Sequence, residues 1–135
     1  MPPRSGAAVA QNSVNWRRFD RAEIGRLVAA GRVVFVDVTA DWCLTCKANK
    51  ALVLDRGDVL KRLNGAGVVA MQADWTRPDP AVFAFLRSFS RYGIPFDVVY
   101  GPGTPRGRVL PELLTRNAVL AGLDAAAAPR PTAAR

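Results

Sequence analysis

The stretch from Val33 to Lys47 constrains this chain more than any other. Val33-Val34-Phe35-Val36-Asp37-Val38 is a β-branched run, apolar on both faces apart from Asp37. Such a run suits a central strand covered from both sides. Thr39-Ala40-Asp41-Trp42 follows as a short turn. A helix then starts near Cys43 and runs to about Leu54, so that Cys43-Leu44-Thr45-Cys46 lies at its first turn.

Cys43 and Cys46 are the chain's two cysteines. Residues at i and i+3 on one helical turn are neighbours, and a disulfide can join them with little backbone movement. At a helix start, unpaired N–H groups and the positive end of the helix dipole favour a thiolate. Cys-X-X-Cys is also a setting in which thiol pKa values fall. We therefore expect a redox-active dithiol, with Cys43 the exposed attacking sulfur. Cys46, one turn in and more buried, would resolve the mixed disulfide. Burial of a carboxylate favours its protonated form, so Asp37, bracketed by Val36 and Val38, is expected to take and return the proton of Cys46. The bland alternative for Asp37 is a strand-end carboxylate facing solvent or capping a turn. Trp42 is expected to pack beside the sulfurs and help form a docking surface, or else to be an ordinary core tryptophan.

Other uses of the cysteine pair fit less well. A structural zinc site needs four ligands, usually Cys and His. With two cysteines and no histidine, a zinc or iron–sulfur site would need a second chain, so no metal or cofactor is expected beyond the disulfide. A purely structural disulfide spanning two intervening residues would constrain little chain entropy.

The remaining chain reads as alternating elements. Residues 1–15 look like a flexible segment, 16–124 a single domain, and 125–135 a disordered tail. Asp20-Arg21-Ala22-Glu23 has the form of a capping box. It opens a helix with Ile24, Leu27 and Val28 at helical spacing, closed by Gly31. A short helix over Val59–Leu63 precedes a strand over Val68–Asp74. Asp79-Pro80 starts another helix, with Pro80 at the first helical position, running to Tyr92-Gly93. Ile94-Pro95 leads directly into a strand ending at Tyr100. Gly101-Pro102-Gly103-Thr104-Pro105 turns the chain into a short strand over Arg108–Leu110, and Thr115 caps a last helix. This order implies an α/β fold: a mixed central sheet of four to five strands with helices on both faces. A proline opening a strand beside the cysteine turn would leave the Ile94 backbone free to pair with an extended substrate segment. The residues alone leave the isomer of that peptide bond open, trans being the commoner.

The formal charge is +8, from 19 basic and 11 acidic residues. The arginines are scattered, with Arg17-Arg18 the one adjacent pair, and lack the stripe with interleaved aromatics expected of a nucleic-acid binder. No run approaches the ~20 apolar residues that span a bilayer. Met1 to Ala10 lacks the ~7–15-residue apolar core of a signal peptide. No nucleic-acid partner and no membrane insertion by this chain are expected. A cytoplasmic location would follow if the chain is complete as given.

Asp37, Trp42-Cys43-Leu44-Thr45-Cys46-Lys47 and the distant Gly93-Ile94-Pro95 together resemble the thioredoxin superfamily, over roughly Phe19 to Leu123. Thr39–Lys47, Gly93–Tyr100 and Val109-Leu110-Pro111-Glu112-Leu113-Leu114-Thr115 are similar to the C-terminal periplasmic domain of DsbD-type (DipZ/ScsB-like) thiol:disulfide interchange proteins. The resemblance implies a thioredoxin fold with Pro95 as its cis-proline, Cys43 as nucleophile and Cys46 as resolving thiol. It also implies disulfide-bearing protein partners. The electron donor would be a membrane-embedded domain and the acceptors periplasmic, in support of cytochrome c maturation. The location implied is the periplasmic face of a membrane protein. The pattern departs from thioredoxin itself at Leu44-Thr45, where thioredoxin has Gly-Pro, at Phe96, where it has Thr, and at Ala70, where it has Lys. The alternative function is a thioredoxin-like interaction module without turnover.

Overall fold

A computed structural model describes residues 12–129. The flexible segment and the tail expected at the chain ends fall partly outside these residues, at 1–11 and 130–135. Where they overlap, the folded part is longer than expected. Val14 is buried, its N–H donating to Asp55 Oδ1 at 3.0 Å. At the other end the last helix runs through Ala127, with Ala126 fully buried.

Five strands form one mixed sheet. In chain order they are β1 (Arg17–Arg18), β2 (Val33–Thr39), β3 (Val68–Asp74), β4 (Phe96–Gly101) and β5 (Thr104–Val109), and they lie in the order β1-β3-β2-β4-β5. β1 and β2 pair with β3 in parallel; β4 pairs antiparallel with β2 and with β5. The parallel half follows from the helical crossovers between its strands, and the antiparallel β4–β5 pair from the tight turn at Gly101–Thr104. β1 was not expected; it is two residues long, between Trp16 and Phe19 at the start of the domain. β5 begins at Thr104, four residues before the expected Arg108.

Five helices cover the two faces: α1 (Arg21–Ala29), α2 (Leu44–Asn49), α3 (Gly57–Leu63), α4 (Pro80–Arg87) and α5 (Arg116–Ala127). Asp20 caps α1 through the Ala22 N–H. The second half of the expected capping box is missing, because Glu23 turns to Arg26 at 2.6 Å instead. Gly31 takes the left-handed conformation expected of it. Pro80 lies in the first turn of α4, capped by Asp79. α4 ends at Arg87, five residues before the expected Tyr92. The chain reverses there through Ser90, at φ 59°, while Ser88 Oγ donates to the Phe85 carbonyl.

Odd-numbered residues of β2 face one core and even-numbered ones the other. Val33 and Phe35 pack with Leu54, after α2, and with Val59, Leu63, Val119 and Leu123 of α3 and α5. Val34, Val36 and Val38 pack with Ile24, Val82, Phe85 and Phe96 under α1 and α4. A strand buried on both sides therefore carries the chain straight to the cysteine turn. At the opposite end, α5 lies so close to the β4–β5 turn that a side chain on Gly101 would land on the Ala126 carbonyl oxygen.

Candidate active site

β2 ends at Thr39 and α2 begins at Leu44, with Cys43 as its N-cap. Cys43 and Cys46 are joined by a disulfide, their Cα atoms 5.3 Å apart. The Cys46 N–H is directed at Cys43 Sγ, 3.1 Å away. The first helical stretch, Leu44–Asn49, passes into a π-helical turn over Lys50–Leu54, so the whole expected length is helical but not uniformly α. The expected contrast between the two cysteines is absent: each residue is 6% exposed. Both pack against Ala40 and the half-buried Ile94, which shields Cys43 as well as Cys46.

The Ile94–Pro95 bond is cis. Pro95 is buried and leads into β4, and the Ile94 backbone makes no hydrogen bond among the described residues. Trp42 is 60% exposed and Leu44 80%, so Trp42 is no core residue. Its indole N–H donates to the Thr76 carbonyl at 3.2 Å. Trp42 and Ile94 share an open cleft of about 580 Å³ with Trp75, Thr76, Pro78 and Tyr92. A larger hollow of about 750 Å³ at the start of α1, lined by Arg17, Phe19 and Ala84, contains neither cysteine.

Thr76 holds this cleft together. Its hydroxyl donates to Asp74 Oδ1 at 2.5 Å and accepts the Asp41 N–H at 2.9 Å. The Thr76 hydroxyl and N–H hold the Asp74 carboxyl below the usual carboxylate range. The loop after β3 thus fixes the loop after β2 immediately before the first cysteine. On the other side, the buried Asn49 ties the helix to the segment before α5. Its amide donates to the Glu112 carbonyl at 2.8 Å and accepts the Leu114 N–H at 3.0 Å.

Asp37 is 6% exposed, inside the sheet rather than at a solvated strand end. Its Oδ2 accepts from Gln72 Nε2 at 3.1 Å. Opposite it on β4 lies Asp97, 1% exposed. Burial holds the Asp97 carboxyl protonated well above the usual carboxylate range, and the charge on Asp37 pushes it the same way. Of the residues expected at the site, Trp42, Cys43, Cys46 and Ile94 come together at the surface. Pro95 lies just behind them, and Asp37 lies in the sheet three residues before Ala40. Sequence reasoning missed Thr76, Asn49 and Asp97. Asp97 carried the same signal as Asp37, a carboxylate within an apolar strand. Thr76 and Asn49 act through backbone contacts that leave no pattern in the chain.

A thioredoxin-like family model matches residues 15–102. Among relatives, the thiol:disulfide interchange protein DsbD of Cronobacter sakazakii is 34% identical over 84 residues, covering 60% of this chain and 14% of that protein. The DsbD of Ralstonia nicotianae is 38% identical over 72 residues, 53% of this chain and 12% of the relative. The match therefore spans about a seventh or less of these relatives. Among solved structures, the C-terminal domain of Neisseria meningitidis DsbD in the reduced form superposes with a TM-score of 0.62 at 21% identity. It covers 78% of this chain and 92% of that one. A thioredoxin from Thermus thermophilus gives 0.59 at 23% identity, covering 82% and 86%. These likenesses bear out the expected fold.

Proposed function

Because this chain belongs to the thioredoxin-like family, we propose that it is a thiol–disulfide oxidoreductase, reducing protein disulfides or relaying electrons by dithiol–disulfide exchange. The observation that carries this reading is the Cys43–Cys46 disulfide at a helix start beside the cis Ile94–Pro95 bond. The relatives named as thiol:disulfide interchange proteins support it.

In the reduced protein Cys43 is the nucleophile. The Cys46 N–H aimed at its sulfur and the start of the helix both favour its thiolate. The thiolate attacks a partner disulfide, forming a Cys43–partner disulfide and releasing one partner thiolate. Cys46 then gives its proton to Asp37 and attacks Cys43 Sγ. The Cys43–Cys46 disulfide forms and the second partner thiol leaves, so two electrons have passed to the partner. The partner segment lies in the cleft between Trp42 and Tyr92 and pairs with the open Ile94 backbone. The chemistry needs no metal or cofactor beyond the disulfide.

The partners in this reading are disulfide-bearing proteins. Similarity to one short part of much longer DsbD proteins supports a finer version of it. There the chain works as a periplasm-facing domain, reduced by a membrane-embedded donor domain and passing electrons to periplasmic acceptors, those of cytochrome c maturation among them. No helix among the described residues is long and apolar enough to cross a membrane. The equal burial of the two cysteines favours a second reading, an interaction module without turnover. Insulin-disulfide reduction tests the first: the wild type is expected to be active and Cys43→Ser inactive. Alkylation of the reduced protein near neutral pH separates the two, since fast labelling of one cysteine fits the enzyme and no labelling the module.

A further inference from the structure

β2 and β4 each carry one aspartate in an otherwise apolar run, Val36-Asp37-Val38 and Phe96-Asp97-Val98. The antiparallel register sets the two directly opposite each other. Opposed side chains on one face have Cβ atoms roughly 4.5–5.5 Å apart, within reach of a single hydrogen bond between carboxyl groups. Gln72, opposite Asp37 on β3, donates to Asp37, so the three residues form one polar row across adjacent strands. Neither oxygen of Asp97 meets a donor among the described residues.

The surroundings offer no compensating charge. The rest of this sheet face is Val33, Phe35, Ala70 and Val99, covered by Leu54, Leu110, Leu114 and Val119. Lys47 and Lys50 on the covering helix are exposed, and Lys50 pairs with Asp55. Arg108, opposite Val99 on β5, is exposed, as are Glu112 before α5 and Arg18, which lies opposite Gln72 on β1 at the far end of the polar row. Two ionised carboxylates facing each other here would repel, with no nearby opposite charge and a single donor, Gln72, to offset their desolvation.

We propose that Asp37 and Asp97 share one proton across the β2–β4 pair, with Asp97 the donor, and that Asp97 is thereby a positioning residue for proton transfer at Cys46. The second half rests on the role given to Asp37 above. An O–H on Asp97 directed at the Asp37 carboxylate supplies the hydrogen bond that Asp97 otherwise lacks. The burial that keeps Asp97 protonated supports the same arrangement. During exchange the pair starts with one proton and one negative charge. The Cys46 S–H proton moves to the pair, leaving Cys46 a thiolate and both acids neutral. The thiolate attacks Cys43 Sγ, the bond from Cys43 to the partner breaks, and the departing partner thiolate takes the proton back.

Carboxyl ¹³C NMR of the wild-type disulfide form tests the pair without turnover, since neither sulfur titrates there. The Asp37 and Asp97 resonances are expected to move together in two separated steps, as coupled sites do. The upper step should lie well above the ordinary carboxylate range near pH ~4. In Asp97→Asn the upper step is expected to vanish. Two independent single steps near pH ~4 in the wild type would overturn the shared proton, whether or not the chain reduces partners. The positioning role is read from the rate at which a preformed mixed disulfide on Cys43 resolves, as a function of pH. The wild-type profile is expected to carry an inflection that Asp97→Asn loses. An unchanged profile shape, with only the melting temperature altered, would overturn that role.

Discussion

Asn49 accepts the backbone N–H of Leu114 from 65 residues away, at 3.0 Å, and its amide donates to the Glu112 carbonyl. One buried side chain thus locks the helix bearing the cysteines to the approach of α5. Asn49→Ala leaves a buried N–H and the Glu112 carbonyl without these partners. The expected loss is roughly 1–3 kcal/mol of unfolding free energy, measured by denaturant titration of the disulfide form.

Cys43 and Cys46 should differ in what their loss does, although they are equally buried. Cys43→Ser is expected to abolish reduction of insulin. Cys46→Ser keeps the nucleophile but has no thiol to resolve the intermediate. It should accumulate mixed disulfides with partner proteins, visible by mass spectrometry under non-reducing conditions.

Trp42 contributes exposed surface to the cleft rather than core packing. Trp42→Ala is expected to slow reduction of a protein disulfide by about tenfold, equivalent to about 1.4 kcal/mol. Reaction with a small soluble disulfide, which needs no docking, should change little. Parallel kinetics with the two substrates checks this; equal loss on both would count against a docking role.

Asp97 makes stability depend on pH in a defined direction. Its folded-state pKa is raised well above the ordinary aspartate value of 3.8, burial being the main cause. The folded state therefore binds more protons than the unfolded one between that value and the raised folded pKa. Its contribution is fully present below about 3.8 and is lost as pH rises through the folded pKa. Asp97→Asn has no proton to lose, so it should be more stable than the wild type at neutral pH. The gain should shrink as pH falls toward the ordinary carboxylate range. Denaturant midpoints of both proteins across pH measure it.

Gly101 has no room for a side chain, because a Cβ would meet the Ala126 carbonyl and Cβ. Gly101→Ala is expected to push the end of α5 away from the β4–β5 turn at a cost of roughly 1–3 kcal/mol. Thermal unfolding would record the loss, and the redox activity of the remaining folded protein should be unchanged.

The alternation of β-branched runs and capped helices made most of the architecture legible before any coordinates. Val33–Val38 and Val68–Asp74 reappear as the central strands β2 and β3, and Asp79-Pro80 opens α4 as expected. The boundaries that moved did so where tertiary contacts override local preference. Val14 is held by Asp55, and Ala126 is held against Gly101. At the site, the cysteines, Trp42 and the Ile94–Pro95 step could be read from residue type and spacing. The burial of Cys43 could not, since the cluster it joins includes Ile94, distant in sequence and brought there by the fold. Thr76 escaped notice because it acts through its hydroxyl and carbonyl on a loop 34 and 35 residues earlier.

The two outer strands have a consequence for how this molecule meets others. β1 is a mere Arg17–Arg18, and β5 interleaves Pro105, Arg106, Gly107 and Arg108. Short length, charge and proline make both flanks poor templates for a stray strand. Sheet-to-sheet aggregation is therefore discouraged at both margins, while the unpaired backbone of Ile94 stays available. In the function proposed above, an extended peptide seeking main-chain partners is thereby steered, among the described residues, toward Ile94, where its own disulfide would lie against the sulfurs.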